Sequence, residues 1–245
     1  MACYKYQLLN HVQYIPKILS EDDLDEEGSP EFDVELETAV LNSLEENVGK
    51  KNINYPSELD IFPISRRPFF PGMAAPIVIE PGPFYEVLKQ VAKTEHKSIG
   101  LLLTKSETAD PNKLDFEDFY EVGVLARILR IIPTEQGGAQ VILNMEKRLR
   151  ISQPLPKSKC LRAQVIYYED NPVLTDELKA YSISIISTIK ELLKLNPLFK
   201  EELQIFLGHS DFTEPGKLAD FAVALTTASR EELQGVLETF DIQGR

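Results

Sequence analysis

The sequence predicts an α+β protein in three parts. An acidic extension covers residues 1–57, a small, curved, barrel-like β-domain with one packed helix covers 58–171, and an all-α helical bundle covers 172–245. Three observations carry this. Strand-sized apolar runs rich in β-branched residues, separated by Pro and Gly, fill residues 59–168. After Asn171 and Pro172 the apolar residues recur at helical spacing instead. Ahead of residue 58, twelve acidic side chains face four lysines, a bias that disfavours a packed core.

The extension opens on a short apolar stretch (Tyr14, Ile15, Ile18, Leu19) and passes through an acidic run at residues 21–27. It ends in a weakly amphipathic segment around Val34, Leu36, Val40, Leu44 and Val48. This reads as a mostly disordered arm with one helix near 33–48, since blocks of like charge are ordinarily solvated.

Strands are expected at 59–64, 75–79, 98–104, 120–132, 139–145, 149–151 and 160–168. The clearest hairpin pairs 122–132 with 139–144, because Gly137 and Gly138 can supply the positive φ of a tight connection. One helix interrupts the β region. Pro83 suits a first helical position, Phe84, Val87, Leu88 and Val91 recur at helical spacing, and residues 93–96 close it. Short strands in this number curl into a barrel-like sheet more readily than a flat one.

In the third part a long helix starts at Thr175 and runs through Leu178, Tyr181, Ile185, Ile186, Ile189, Leu192 and Leu193 to a stop at Asn196 and Pro197. Residues 197–207 make a second helix and 217–227 a third. Ser229 with Glu232 forms a capping box for a fourth, which carries Leu233, Val236, Leu237 and Phe240.

A formal charge of −13 argues against nucleic acid and anionic membranes as partners, since both demand an excess of Lys and Arg on one face. Cys3 and Cys160 make neither a disulfide framework nor a metal cluster. No run approaches the roughly 20 apolar residues of a spanning helix. The amino terminus has neither an apolar signal core nor the Arg-rich character of a transit peptide, so a reducing, cytoplasmic location is expected. No G-x-x-x-x-G-K-[ST] loop is present to cradle nucleotide phosphates. His11, His96 and His209 lie apart from one another and from any candidate nucleophile. Acidic pairs such as Glu117 and Asp118 have no placed partner group for glycosidase or metal chemistry. No catalytic residue, metal or cofactor is expected.

The stretch LDIFPISRRPFFPGMAAPIVI at 59–79 resembles the opening of the Lon protease amino-terminal domain. SIGL at 98–101 and YEVGVLARI at 120–128 follow in order, and PGKLADF at 215–221 and LETFDI at 237–242 are similar to the family's P-G-x-L-A-D and L-L-E-T-x-D stretches. The resemblance covers 59–245. Two departures stand out: NMEKRLR at 144–150 lacks the Gly of the family's usual Glu-Gly turn before an Arg-rich strand, and the acidic lead is long. The resemblance implies a PUA-like β-domain followed by a helical bundle. It also implies a non-catalytic substrate-recognition and assembly module of an ATP-dependent protease, whose ATPase and peptidase parts this chain lacks. The implied partners are unfolded or damaged protein segments and other copies of the same protein.

A module that captures unfolded chains must offer apolar surface or a free strand edge. The candidate protein-binding residues are Phe69, Phe70 and Met73 in the Pro-rich segment, and Phe116 and Phe119 where aromatics alternate with acids beside Tyr120. Packing of these same side chains into the core is the competing reading. An alternative function is a stand-alone adaptor of the same fold. A third, an RNA-binding module, rests on Arg66, Arg67, Lys147, Arg148 and Arg150, against the acidic balance of the chain.

Overall fold

Two long antiparallel strands organise the molecule, β4 (Phe119–Pro133) and β5 (Ala139–Leu155). The structure, a computed structural model, describes residues 55–245 apart from 112, 136, 157–158, 171–174 and 196–214. The extension through residue 54 and the helix expected at 197–207 therefore lie outside the described residues. The other strands are β1 (Glu58–Ile64), β2 (Ala74–Ile79), β3 (Ser98–Thr104) and β6 (Leu161–Tyr168). The helices are α1 (Pro83–Val91), α2 (Asp176–Leu195), α3 (Pro215–Ala224) and α4 (Arg230–Glu238).

The strand order is β2-β5-β4-β3-β1-β6, and β6 pairs again with β5. Among the described residues only β1 and β3 run parallel, joined by a crossover that contains β2 and α1. The sheet thus curls back on itself through the carboxyl half of β5, while β2 stands outside that ring as an edge. The result is a curved mixed sheet rather than an even barrel. Bulges supply the bend, since an extra residue on one strand kinks it and increases the local twist. Register shifts leave Glu146 unpaired against β4, Leu129 unpaired against β5 and Ser152 unpaired against β6. The expected strands 139–145 and 149–151 are one continuous strand. Residues 144–150, where the family's usual Glu-Gly turn was compared above, are its middle, with Glu146 as the bulge.

Alternation along the strands divides the interior into two clusters. On β1, Leu59 and Ile61 face one side with Leu102, Leu125, Leu149, Leu161 and Phe119, while Phe62 and Ile64 face the other with Leu101, Val124, Leu143 and Met145. All seven residues of β3 are buried, as a strand covered on both faces requires. Full burial of one such leucine stabilises by about 1.5–3 kcal/mol. Close strand packing explains Gly123, where a Cβ would collide with the Leu101 carbonyl. Gly137 turns the β4–β5 hairpin at φ +87°.

The helices depart from the bundle expected. α2 and α3 share a small cluster of Ile189, Leu218 and Phe221. α4, begun by the predicted Ser229–Glu232 capping box, instead lays Leu233 and Leu237 into the first sheet cluster and donates from Gln234 Nε2 to the Val122 carbonyl at 3.0 Å. The last helix is therefore part of the β core, and Phe240, beyond its end, stacks on Tyr168 with ring centroids 3.9 Å apart. Among the described residues, no helix is long and apolar enough to cross a membrane.

Candidate protein-binding surface

The predicted aromatics divide by burial. Phe70 and Phe119 are core residues, exposed by 1% and 3%, so neither belongs to a contact surface. Two adjacent aromatics in an extended chain point to opposite sides. Here Phe70 turns inward, and Phe69 rests half-buried against the same cluster together with Met73. Phe116 is half-buried against the second cluster.

The strand edge is also less open than expected. Among the described residues β2 pairs with β5 alone, from Ala74↔Asn144 to Ile79↔Ala139. Pro76 in its middle has no N–H to give, a substitution found at sheet edges because it blunts further strand addition.

Among the described residues the exposed large apolar side chains are Val78, Leu129, Ile166 on β6, and Tyr181 and Ile183 on α2; the first two share the outer face of β2, β5 and β4. The burial pattern of β2 alternates, with Ala74, Pro76 and Val78 outward. Directly paired residues share a face, so Pro76 lies beside Ile142 and Arg130, and Val78 lies beside Gln140 and Ile132. The bulged Leu129 projects next to this row. Val78 is 45% and Leu129 57% exposed. Sequence reasoning missed these residues, although the alternation in AAPIVI was visible. The Leu129 bulge had no signal, because a bulge becomes apparent only from the partner strand.

A separate cleft of about 120 Å³ is walled by Ile61, Pro63, Pro83, Phe84, Leu114 and Phe119, with Pro111, Lys159, Cys160 and Leu161 completing it. It is open to solvent and its wall is part polar, Lys159 standing among the apolar side chains. Burial is the main cause that pushes the Cys160 thiol up to about 12, aided by Asp60, which accepts from it at 3.6 Å.

The cations offered for RNA are engaged in the fold. Arg67 donates to the carbonyls of Ala224 and Thr226 at the end of α3. Lys147 pairs with Glu169 and Arg150 with Glu121. Arg148 is fully buried, donating to Asp220 Oδ1 and Oδ2 at 2.5 and 2.7 Å and to the Leu237 carbonyl at 3.1 Å. Beside it Arg245 donates to both Asp170 oxygens and to the Thr239 carbonyl, with its guanidinium 3.8 Å from Asp220. Burial pushes the Asp220 carboxyl up, while Arg148 and then Arg245 pull it down. This cluster accounts for PGKLAD physically. Gly216 leaves room for the Asp170 carboxylate, Leu218 fills the α2–α3 contact, and Asp220 neutralises Arg148.

A curved mixed sheet with helices pinned to it by a buried ion cluster defines a small α+β domain as its class. The particular family follows from comparison: the chain belongs to the ATP-dependent protease La (LON) substrate-binding domain family, whose model matches residues 58–245. It is 70% identical over 221 residues to a Lon protease of Protochlamydia amoebophila, covering 90% of this chain and 26% of that protein. It is 67% identical to a Lon protease of Chlamydia pneumoniae, covering 78% of this chain and 23% of that protein. The chain thus spans about a quarter of the length of these curated relatives. The fold matches the N-terminal domain of Mycobacterium avium complex Lon protease, with a TM-score of 0.59 and 19% identity over 76% of this chain and 92% of that one. A Lon N-terminal domain protein from Xanthomonas campestris matches with a TM-score of 0.53 and 14% identity, over 76% and 93%.

Proposed function

We propose that this chain is the non-catalytic recognition and assembly module of a cytoplasmic, ATP-dependent Lon-type protease, and that it binds apolar segments of unfolded or damaged proteins. The observation that carries this is the pair of exposed apolar side chains, Val78 and Leu129, beside half-buried Ile132 and Ile142 on the outer sheet face of a domain whose family is described as substrate-binding. Contiguous exposed apolar surface on a folded protein marks an interaction site. Phe69 and Met73 extend the same reading, because half-buried side chains at the start of the edge strand need little movement to meet a partner. Ordering a flexible segment costs part of the contact energy, so affinity per site is low and copies of the module in an oligomer raise it by avidity.

The test is fluorescence anisotropy with one labelled protein, held chemically unfolded or left native. Selective binding of the unfolded form is expected. Val78→Ser together with Leu129→Ser is expected to weaken it several-fold without changing the thermal midpoint, since both side chains are exposed. Equal binding of both forms, or full affinity in the double variant, refutes the assignment.

A further inference from the structure

We propose that the outer face of β2, β5 and β4 is the docking site of this chain's own acidic extension, whose apolar residues between 34 and 48 cover it in cis and compete with substrate; the competition rests on the reading that this face binds unfolded segments. The place where the extension joins the domain is the first reason. Tyr55 packs against the second cluster, its ring centroid 5.9 Å from the Lys147 ammonium. Burial pushes its phenol up, and the charges it feels are those of Glu146, Lys147, Arg127 and Glu169. Leu125 faces the second cluster and Ala126 the first, so by alternation Arg127 shares the sheet face on which Tyr55 stands. Ala74, Asn144 and Arg127 form a row there, and the rows of Pro76, Ile142 and Arg130 and of Val78, Gln140 and Ile132 follow along the same strands. The chain therefore enters the domain at one end of the exposed face.

Length is the second reason. From Arg127 to Ile132 the face runs about 17 Å, at roughly 3.3 Å per residue. The seven steps of chain from Val48 to Tyr55 reach at most about 25 Å, and the helix that the pattern of 34–48 predicts would be about 22 Å long. Composition is the third. Val34, Leu36, Val40, Leu44 and Val48 offer apolar contacts to Val78, Leu129, Ile132 and Ile142. Residues 31–48 carry six acids and no Lys or Arg. In the two outer rows Arg130 is the one charged side chain, and it is exposed. Glu146, near the entry point, is held by Arg127 at 2.8 Å, and Glu80 and Glu135 lie beyond Val78 and Ile132 at the hairpin end. An acidic segment with apolar side chains thus meets a cation in the middle of the face and no carboxylate within those rows. The tether supplies the rest: a joined segment has an effective concentration on the order of 1 mM, so a contact with a dissociation constant in that range already covers the face in half the population.

The experiment uses the whole chain with methyl-labelled Ile, Leu and Val in a Cys3→Ser background, carrying a spin label on Asn42→Cys; Cys160 is buried and stays unlabelled. Val78, Leu129, Ile132 and Ile142 are expected to show the strongest methyl broadening of the described residues. Val40→Ser with Leu44→Ser is expected to remove that broadening and to tighten binding of labelled unfolded protein at least about twofold, the masking by half being lifted. Strongest broadening elsewhere, or none, overturns the docking, and the proposed function stands if Val78→Ser with Leu129→Ser still weakens binding of the unfolded protein. Broadening in a mixture of spin-labelled chains with separate isotope-labelled chains shows that a second copy supplies the segment, which overturns the contact in cis. Broadening of the face in a chain that binds no unfolded protein supports the docking and overturns both the proposed function and the competition.

Discussion

Replacing Asp220 by Ala strands a buried charge, and the size of the loss follows from the geometry. The Arg148 and Asp220 side chains are 2% and 1% exposed and joined by two short bonds. Removing one partner of a buried pair costs about 3–5 kcal/mol, because the remaining ion keeps its desolvation cost without its counterion. For a folded unit of this size each kcal/mol moves the midpoint by about 2–4 °C, so a depression on the order of 6–20 °C is expected. Asp170 cannot take over as the counterion, since both of its oxygens are held by Arg245. Urea titration followed by far-ultraviolet dichroism gives the free energy, and a thermal scan gives the midpoint. The control is Arg148→Met with Asp220→Leu, which removes both charges and is expected to recover most of the stability. A loss below about 1 kcal/mol in Asp220→Ala, or a double variant less stable than the single one, would show that the pair does not act as argued.

Two further outcomes follow from the core. Gly123→Ala is expected to destabilise by several kcal/mol, since its Cβ would meet the Leu101 backbone rather than a movable side chain; a urea midpoint within error of the parent protein would contradict the tight β3–β4 packing. In a Cys3→Ser background, native Cys160 is expected to carry more than about a thousandfold less thiolate at pH 8 than a free thiol of pKa about 8.5, because burial pushes it up to about 12. The folded thiol ionises later than the unfolded one, so its contribution to stability is intact below about pH 8.5 and declines as pH rises toward 12. Rapid alkylation of the native protein at pH 8 would refute this.

The β region was legible because each strand announces itself locally. The runs 59–64 and 98–104 carry enough β-branched and leucine residues to need no tertiary information, and Gly137 marks the hairpin turn by its chemistry. The helical part was less legible. The capping box at Ser229 located the start of α4, but an amphipathic pattern says only that one face is buried and not against what. Leu233 and Leu237 fit a helical bundle and a sheet equally well, and the sheet has them. Arg148 shows the same limit for charge. In sequence it belongs to a basic cluster, and its partner lies 72 residues away. The aromatics failed as site markers for a simpler reason: Phe70 and Phe119 are among the most apolar groups in the chain, and burial claims such groups first.

The buried charged residues of the motifs and the exposed residues proposed to meet a partner differ in burial, although Phe69, Met73 and Val78 lie within the 59–79 stretch that carries the family resemblance. PGKLAD and the Arg of NMEKRLR stabilise the junction of α3, α4 and β5, where a change costs the fold. Val78 and Leu129 are solvent-exposed and hold little stability, so substitutions there read out binding directly. A variant series restricted to these exposed positions separates recognition from folding. The same series drawn from the motif residues would confound the two, since loss of binding would follow from loss of structure.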